Sequence, residues 1–341
     1  MKIRLLALAV GLLPCLPALQ AQLSPVPLPT PAAPILARPT ERPDPADVAK
    51  LKSGPPLPYK VDANWPQLPK GYNFGECSGV DVDKQGNVWV FNRGNWPLMQ
   101  FNRAGKFLQA WPIETFRVLS SHGVRVGPDG SLWCVDVQGH VVFKLNPDTG
   151  RILMVIGNRQ GTPGNNDAED AFNQPTNVGF RANGDIYVSD GYVNARVIEF
   201  TADGNYVRHW GKPGTGDGEF NLAHDVAVDS KGLVYVADRR NERVQVFDEN
   251  GKFITKWTNI GSPWGLYYVA KENAIYMCDG KYDRILKLGL DGQVLGVLSS
   301  YGKAPGKLDY VHSIAVDPTD GSLYTVEIKT WRVQKWVRDT K

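Results

Sequence analysis

Three histidines recur at one point of a repeated pattern, in Ser121-His122-Gly123-Val124-Arg125-Val126, Ala223-His224-Asp225-Val226-Ala227-Val228 and Val311-His312-Ser313-Ile314-Ala315-Val316. Neutral imidazoles are good ligands for zinc and are also accepted by copper, iron and nickel. Three of them leave one tetrahedral position open, as in catalytic rather than structural zinc sites. Any one of these residues alone would read as an ordinary polar group beside a strand. In a chain with only 5 histidines, three in one column point to a metal. His140 and His209 fall outside the column and read as surface or blade-edge residues.

The elements that must position them follow from the repeat. Aligned two residues after each histidine, the chain repeats at Val80, Val124, Val178, Val226, Leu266 and Ile314, in steps of 44, 54, 48, 40 and 48 residues. That period belongs to propellers. Each unit opens on apolar alternation such as Val80-Asp81-Val82 and passes a turn rich in Asp, Gly and Asn. A second β run follows, as in Asn87-Val88-Trp89-Val90 or Asp185-Ile186-Tyr187-Val188, then a third, as in Arg243-Val244-Gln245-Val246-Phe247, and a fourth after a Gly turn. Period-two alternation between turn signals predicts strands, and hence an all-β fold: a six-bladed β-propeller with four antiparallel strands per blade. Histidines in alternate blades then face one axis, just before the innermost strands, at one mouth of the channel. The last unit supplies only three strands before it ends near Trp336. The strand-like segment 59–65 is expected to add the fourth and close the ring, since an open blade leaves an unpaired edge. The propeller is placed at residues 59–338 as one domain.

The N-terminal region suggests a compartment. Met1-Lys2-Ile3-Arg4, the apolar run from Leu5 to Leu19 and a cleavage point at Ala21 read as a secretory signal peptide over residues 1–21, too short for a membrane span. Residues 22–58 are rich in Pro and Ala and read as a disordered or extended linker. The expected location is therefore secreted or periplasmic. A formal net charge of +3 carries no nucleic-acid footprint. Beyond the signal, Cys77, Cys134 and Cys278 form an odd set that cannot all pair, with Cys77–Cys134 as one possible bridge. A monomer without a membrane span is expected.

At these residues the chain resembles peptidyl-α-hydroxyglycine α-amidating lyases, six-bladed propellers of NHL-type repeats whose zinc is held by three alternate-blade histidines. The resemblance covers nearly all of residues 75–338. It is carried by the histidine column, by Val188-Ser189-Asp190-Gly191-Tyr192-Val193-Asn194-Ala195-Arg196 with the preceding Asn173-Gln174-Pro175-Thr176-Asn177-Val178, by Phe91-Asn92-Arg93-Gly94, and by the stretch from Val236 to Val244. It implies zinc on His122, His224 and His312, Tyr192 as proton acceptor and Arg93 as holder of a carboxylate or carbonyl. The implied substrate is a small peptide-like, α-hydroxylated amide, cleaved to an amide and glyoxylate.

The chain departs from that family in several places. The cysteines of one family disulfide would stand at Asn173 and Val193. Near its third histidine the family has Met and Asp where this chain has Tyr310 and Ser313. That Asp helps hold a structural calcium ion, together with backbone carbonyls matching Val80 and Val124. Here Asp225, beside His224, is the carboxylate that would take its place. The alternative function is a non-catalytic NHL-repeat propeller that binds a peptide, glycan or protein partner at the channel mouth. Calcium lactonase propellers need a carboxylate and amide ligand set that the column does not show.

Overall fold

The structure, a computed structural model, describes residues 43–159 and 161–340. The expected signal peptide and the linker up to residue 42 lie outside the described residues. Six four-stranded antiparallel sheets make the six blades. Their inner strands are Cys77–Val82, Ser121–Val126, Pro175–Phe180, Ala223–Val228, Pro263–Val269 and Val311–Val316, in blades one to six. The sixth blade is completed by Tyr59–Asp62, which pairs with Arg332–Arg338 and sets Val61 opposite Trp336. The ring thus closes by joining the two ends of the propeller sequence, as the repeat count required.

What holds neighbouring blades together is legible in the second strands. Trp89, Trp133, Tyr187, Tyr235, Tyr276 and Tyr324 occupy one repeat position and are almost wholly buried. An aromatic side chain buries about 150–250 Å², so one ring per blade supplies a large apolar contact to the blade that follows it. The inner strands also come close to the next blade. A Cβ on Gly123 would lie 2.2 Å from Asn177 Oδ1 and 2.8 Å from the Thr176 backbone oxygen, so a larger residue after His122 would push against the backbone of blade three.

The mouth that carries the histidines is braced by a repeated ion pair. In blades three to six the acid ending the second strand faces the arginine opening the third: Asp190–Arg196, Asp238–Arg243, Asp279–Arg284 and Glu327–Arg332. Each arginine also donates to carbonyls of the loop that leads into its blade. Arg196, for example, reaches Asn166, Ala168 and Ala171. Planar, bidentate guanidinium groups are suited to such multiple acceptors. Blades one and two lack this arginine. There Asn92 accepts from the amides of Gly75 and Gly94, and Asp136 from those of Leu119, Ser120 and Gly139.

The structure also bears on the cysteines and on the segment ahead of the propeller. Cys77, Cys134 and Cys278 are all buried and free, so the Cys77–Cys134 bridge does not form. Burial among apolar side chains keeps their thiols protonated, with the Cys77 and Cys278 values far above the ordinary one. The C-terminal part of the stretch read as linker is ordered against the propeller: the Leu57 amide donates to Val297 and the Val297 amide to Pro55. It thereby covers the outer edge of blade five, Val294–Leu298. Among the described residues, no helix is long and apolar enough to cross a membrane.

Candidate metal centre

Each histidine sits near the start of an inner strand, where a bulge shifts the register with the second strand. The three imidazoles converge on the channel axis with ring centroids 4.7, 4.8 and 5.0 Å apart. Each offers one ligand atom, and these atoms lie within 4.8 Å of one another. Their Nδ1 atoms point the other way, toward carbonyl oxygens of the next blade: His122 to Thr176 at 2.7 Å, His224 to Trp264 at 2.6 Å and His312 to Ser78 at 2.6 Å. A carbonyl only accepts, so each Nδ1 carries the proton and each Nε2 presents its lone pair to the centre. This is the tautomer a metal requires, fixed by an outer hydrogen bond. The acceptors come from the same repeat position in blades three, five and one, so imidazole and carbonyl brace alternate around the ring.

The electrostatics keep the three imidazoles neutral, the form that could bind a metal. Burial, the neighbouring imidazole of His312 and the Arg93 charge hold His122 well below the ordinary histidine value. Burial and the Arg239 charge do the same to His224. His312 is pushed down to about 3 by burial and by Arg93 and Arg239. Three convergent, desolvated, unprotonated Nε2 atoms fit a borderline-soft transition metal such as zinc, and the set contains no hard oxygen ligand for calcium or magnesium.

Tyr192 follows the Asp190-Gly191 end of a second strand and leans over the centre. Its hydroxyl lies 3.1 Å from His122 Nε2 and 3.2 Å from His224 Nε2. Arg93 lies at the same rim, donating from Nε to Ser121 O at 3.1 Å and from Nη1 to Glu76 at 2.7 Å. The structure therefore brings together His122, His224, His312, Tyr192 and Arg93.

Arg239 belongs to the same site and was not singled out in the sequence. Its guanidinium carbon lies 3.4 Å from the centroid of the Trp264 ring, and its Nη1 donates to the Tyr192 hydroxyl at 3.4 Å. Trp264 in turn packs between His224 and His312, with ring centroids 5.7 Å from each. The signal that could have found Arg239 is the repeat itself. Arg93 follows Asn92 and Arg239 follows Asp238, so both hold the position just after the second strand. Their backbone amides also make the same bond, to Glu76 O and Leu222 O ahead of the inner strand. Two cations at the rim, a phenol beside them and three imidazoles below can bind an anionic group and place a group able to exchange a proton next to it.

Val80, Val124 and Asp225, expected to hold calcium, lie deeper in the channel. The carbonyls of Val80 and Val124 and the Asp225 carboxylate face the Arg125 guanidinium. An internal cation thus stands where the calcium ion was expected, and the histidines are not part of that group. The two remaining histidines are away from the centre, His140 accepting from the Gln174 amide and His209 bonded to the Tyr206 hydroxyl.

Comparison with known proteins agrees with this fold. Residues 220–247 match the NHL repeat family model. The chain is 32% identical to NHL repeat-containing protein 3 of Homo sapiens over 304 residues, covering 82% of this chain and 84% of that protein. It is 26% identical to peptidyl-alpha-hydroxyglycine alpha-amidating lyase 1 of Drosophila melanogaster, covering 85% of this chain and 61% of the relative. Among solved structures it is similar to that of a streptogramin B lyase, with a TM-score of 0.59 over 82% of this chain and 97% of the other. At 14% identity that likeness speaks for the fold alone.

Proposed function

We propose, on the premise that this chain belongs to the NHL-repeat propellers that include NHL repeat-containing protein 3, that it is a metal-dependent carbon–nitrogen lyase of the amidating type. The observation that carries this reading is the Tyr192 hydroxyl 3.1 and 3.2 Å from two converging Nε2 atoms, with Arg93 and Arg239 beside it. A phenol that merely packed would not need two cations and three unprotonated imidazoles around it. The similarity to an amidating lyase supports the choice of reaction.

His122, His224 and His312 would hold the metal, with zinc favoured by the imidazole set. When bound, it would supply Lewis acidity toward an oxygen of the substrate. The substrate we infer is an amide whose nitrogen carries an α-hydroxyglycine unit. Its carboxylate pairs with Arg93 or Arg239, whose planar donors match two carboxylate oxygens. Tyr192, acting as phenolate, accepts the proton of the α-hydroxyl group. The electrons of that O–H bond form the aldehyde C=O as the C–N bond breaks, and the nitrogen takes the same proton back from the Tyr192 phenol, which restores the phenolate. The products are the shortened amide and glyoxylate, and no water is consumed. Export from the cytoplasm, supported by the apolar run from Leu5 to Leu19, would give such an enzyme access to extracytoplasmic peptides.

The test is direct. Purified, zinc-loaded chain is mixed with a short peptide ending in α-hydroxyglycine, and glyoxylate is followed against the spontaneous rate. Release that stops with a chelator and returns with zinc is expected. Folded, metal-loaded protein that gives only the spontaneous rate removes this reaction and leaves a channel-mouth binding function.

A further inference from the structure

Below the histidines the channel is built in two levels. One residue before each repeat valine or its equivalent stand Gly79, Gly123, Asn177, Asp225, Gly265 and Ser313, and one residue after it Asp81, Arg125, Gly179, Ala227, Tyr267 and Ala315. The levels complement each other. Blades with glycine above carry the long polar side chains below, and blades with a polar residue above carry glycine or alanine below. The three glycines let their strands lie close against the next blade: a Cβ would stand 2.8 Å from His122 O on Gly79, 2.8 Å from Thr176 O on Gly123 and 3.0 Å from His312 O on Gly265.

Arg125 crosses the channel. From blade two its Nη2 donates to Asp225 Oδ2 of blade four at 3.0 Å and to Leu266 O of blade five at 2.9 Å. Its Nη1 points to Val80 O of blade one at 3.4 Å and to Val124 O at 3.5 Å. The side chain is 8% exposed and that of Asp225 1%. Tyr267 closes one flank, its ring centroid 5.6 Å from the guanidinium carbon. Asp81 is held by the amides of Val82 and Val126. On the far side a cavity of about 340 Å³, rimmed by Val82, Val126, Phe180 and Val228, has Arg125 in its wall.

We propose that Arg125 is the propeller's own channel cation: its guanidinium does the work of a bound divalent ion, ties four blades across the axis and closes the channel beneath the metal centre. Calcium takes six to eight oxygen ligands. Here the oxygens that would begin such a shell are turned to a fixed positive group, and Asp225 is already neutralised by it. Asp225 Oδ1 accepts from the Val226 amide and its Oδ2 also from the Leu266 amide, so little capacity remains. Ser313 Oγ has no hydrogen-bond partner among the described residues, and a lone hydroxyl does not make a cation site. The centre then opens at one mouth only, the one lined by Arg93, Tyr192 and Arg239.

The experiment uses zinc-loaded full chain, with melting temperature and calcium content as readouts, so that it stands apart from any glyoxylate assay. Calcium should neither raise the melting temperature of the parent nor remain with it after gel filtration. Arg125→Ala should melt roughly 10 °C lower, as expected when one partner of a buried pair is removed. Calcium should then recover part of the loss, because the freed carbonyls and Asp225 face open space. Arg125→Lys, which keeps the charge but not the fork, should fall between, and it covers the case of an Ala variant that does not fold. A parent that retains about one calcium per chain, an Ala variant as stable as the parent, or one that calcium does not help would each overturn the proposal.

Discussion

Replacing His312 by Gln in the metal-free protein should remove a specific dependence of stability on pH. The imidazole is buried, bonded through Nδ1 to Ser78 O, and its pKa is pushed down to about 3 by burial and by Arg93 and Arg239. In the unfolded chain it titrates near 6.5. Between these values the unfolded state binds a proton that the native state refuses, so this group makes stability rise with pH. The destabilisation is about 0.2 kcal/mol at pH 7 and about 2 kcal/mol at pH 5, a change near 1.4 kcal/mol per pH unit in the steep part. Glutamine does not titrate and retains an amide that can donate to Ser78 O. Chelator-treated parent and His312→Gln would be unfolded in urea at pH 7 and pH 5, and the difference between the two proteins compared. Taking that difference cancels the raised carboxylates common to both, such as Asp279 and Asp283. The parent should lose about 2 kcal/mol relative to the variant on acidification. Equal losses would mean that the imidazole is protonated or hydrated in the native state, and the picture of three desolvated, neutral ligands would fail.

Tyr192→Phe keeps the ring and removes the oxygen near the two Nε2 atoms, so turnover of an α-hydroxyglycine peptide should fall about 100-fold or more while zinc content by elemental analysis is unchanged; parent-like turnover would leave the tyrosine a packing residue. Arg196→Met should cost about 3–5 kcal/mol in chemical denaturation, because it strands the buried Asp190 carboxylate and three loop carbonyls. A loss below about 1 kcal/mol would show that the mouth loops do not depend on that brace.

The fold and the three-histidine cluster were open to sequence reasoning for the same reason: both are periodic. A blade recurs because each unit buries its faces against identical neighbours, and residues at one repeat position must then share one level of the ring. That logic puts His122, His224 and His312 on the axis and closes blade six with Tyr59–Asp62. Tyr192 and Arg93 lie just past second strands, at a repeat position too, and came to notice through the resemblance to the amidating lyases rather than through periodicity. Arg239 shared the position of Arg93 and was missed, since a run of charged residues after a strand usually marks a solvated turn.

What only the tertiary structure decided concerns side chains that reach across the ring. Asp225 and the carbonyls of Val80 and Val124 form a set with the right atoms for a hard cation, and nothing local says what they face. The answer depends on Arg125, which stands in a different blade from Asp225 and Val80 and whose length lets it span the channel. The tautomers of the three histidines are settled likewise by carbonyls of adjacent blades. Repeats specify the level at which a residue stands. Which partner it meets there is fixed by ring closure, because closure alone brings distant blades within hydrogen-bonding distance.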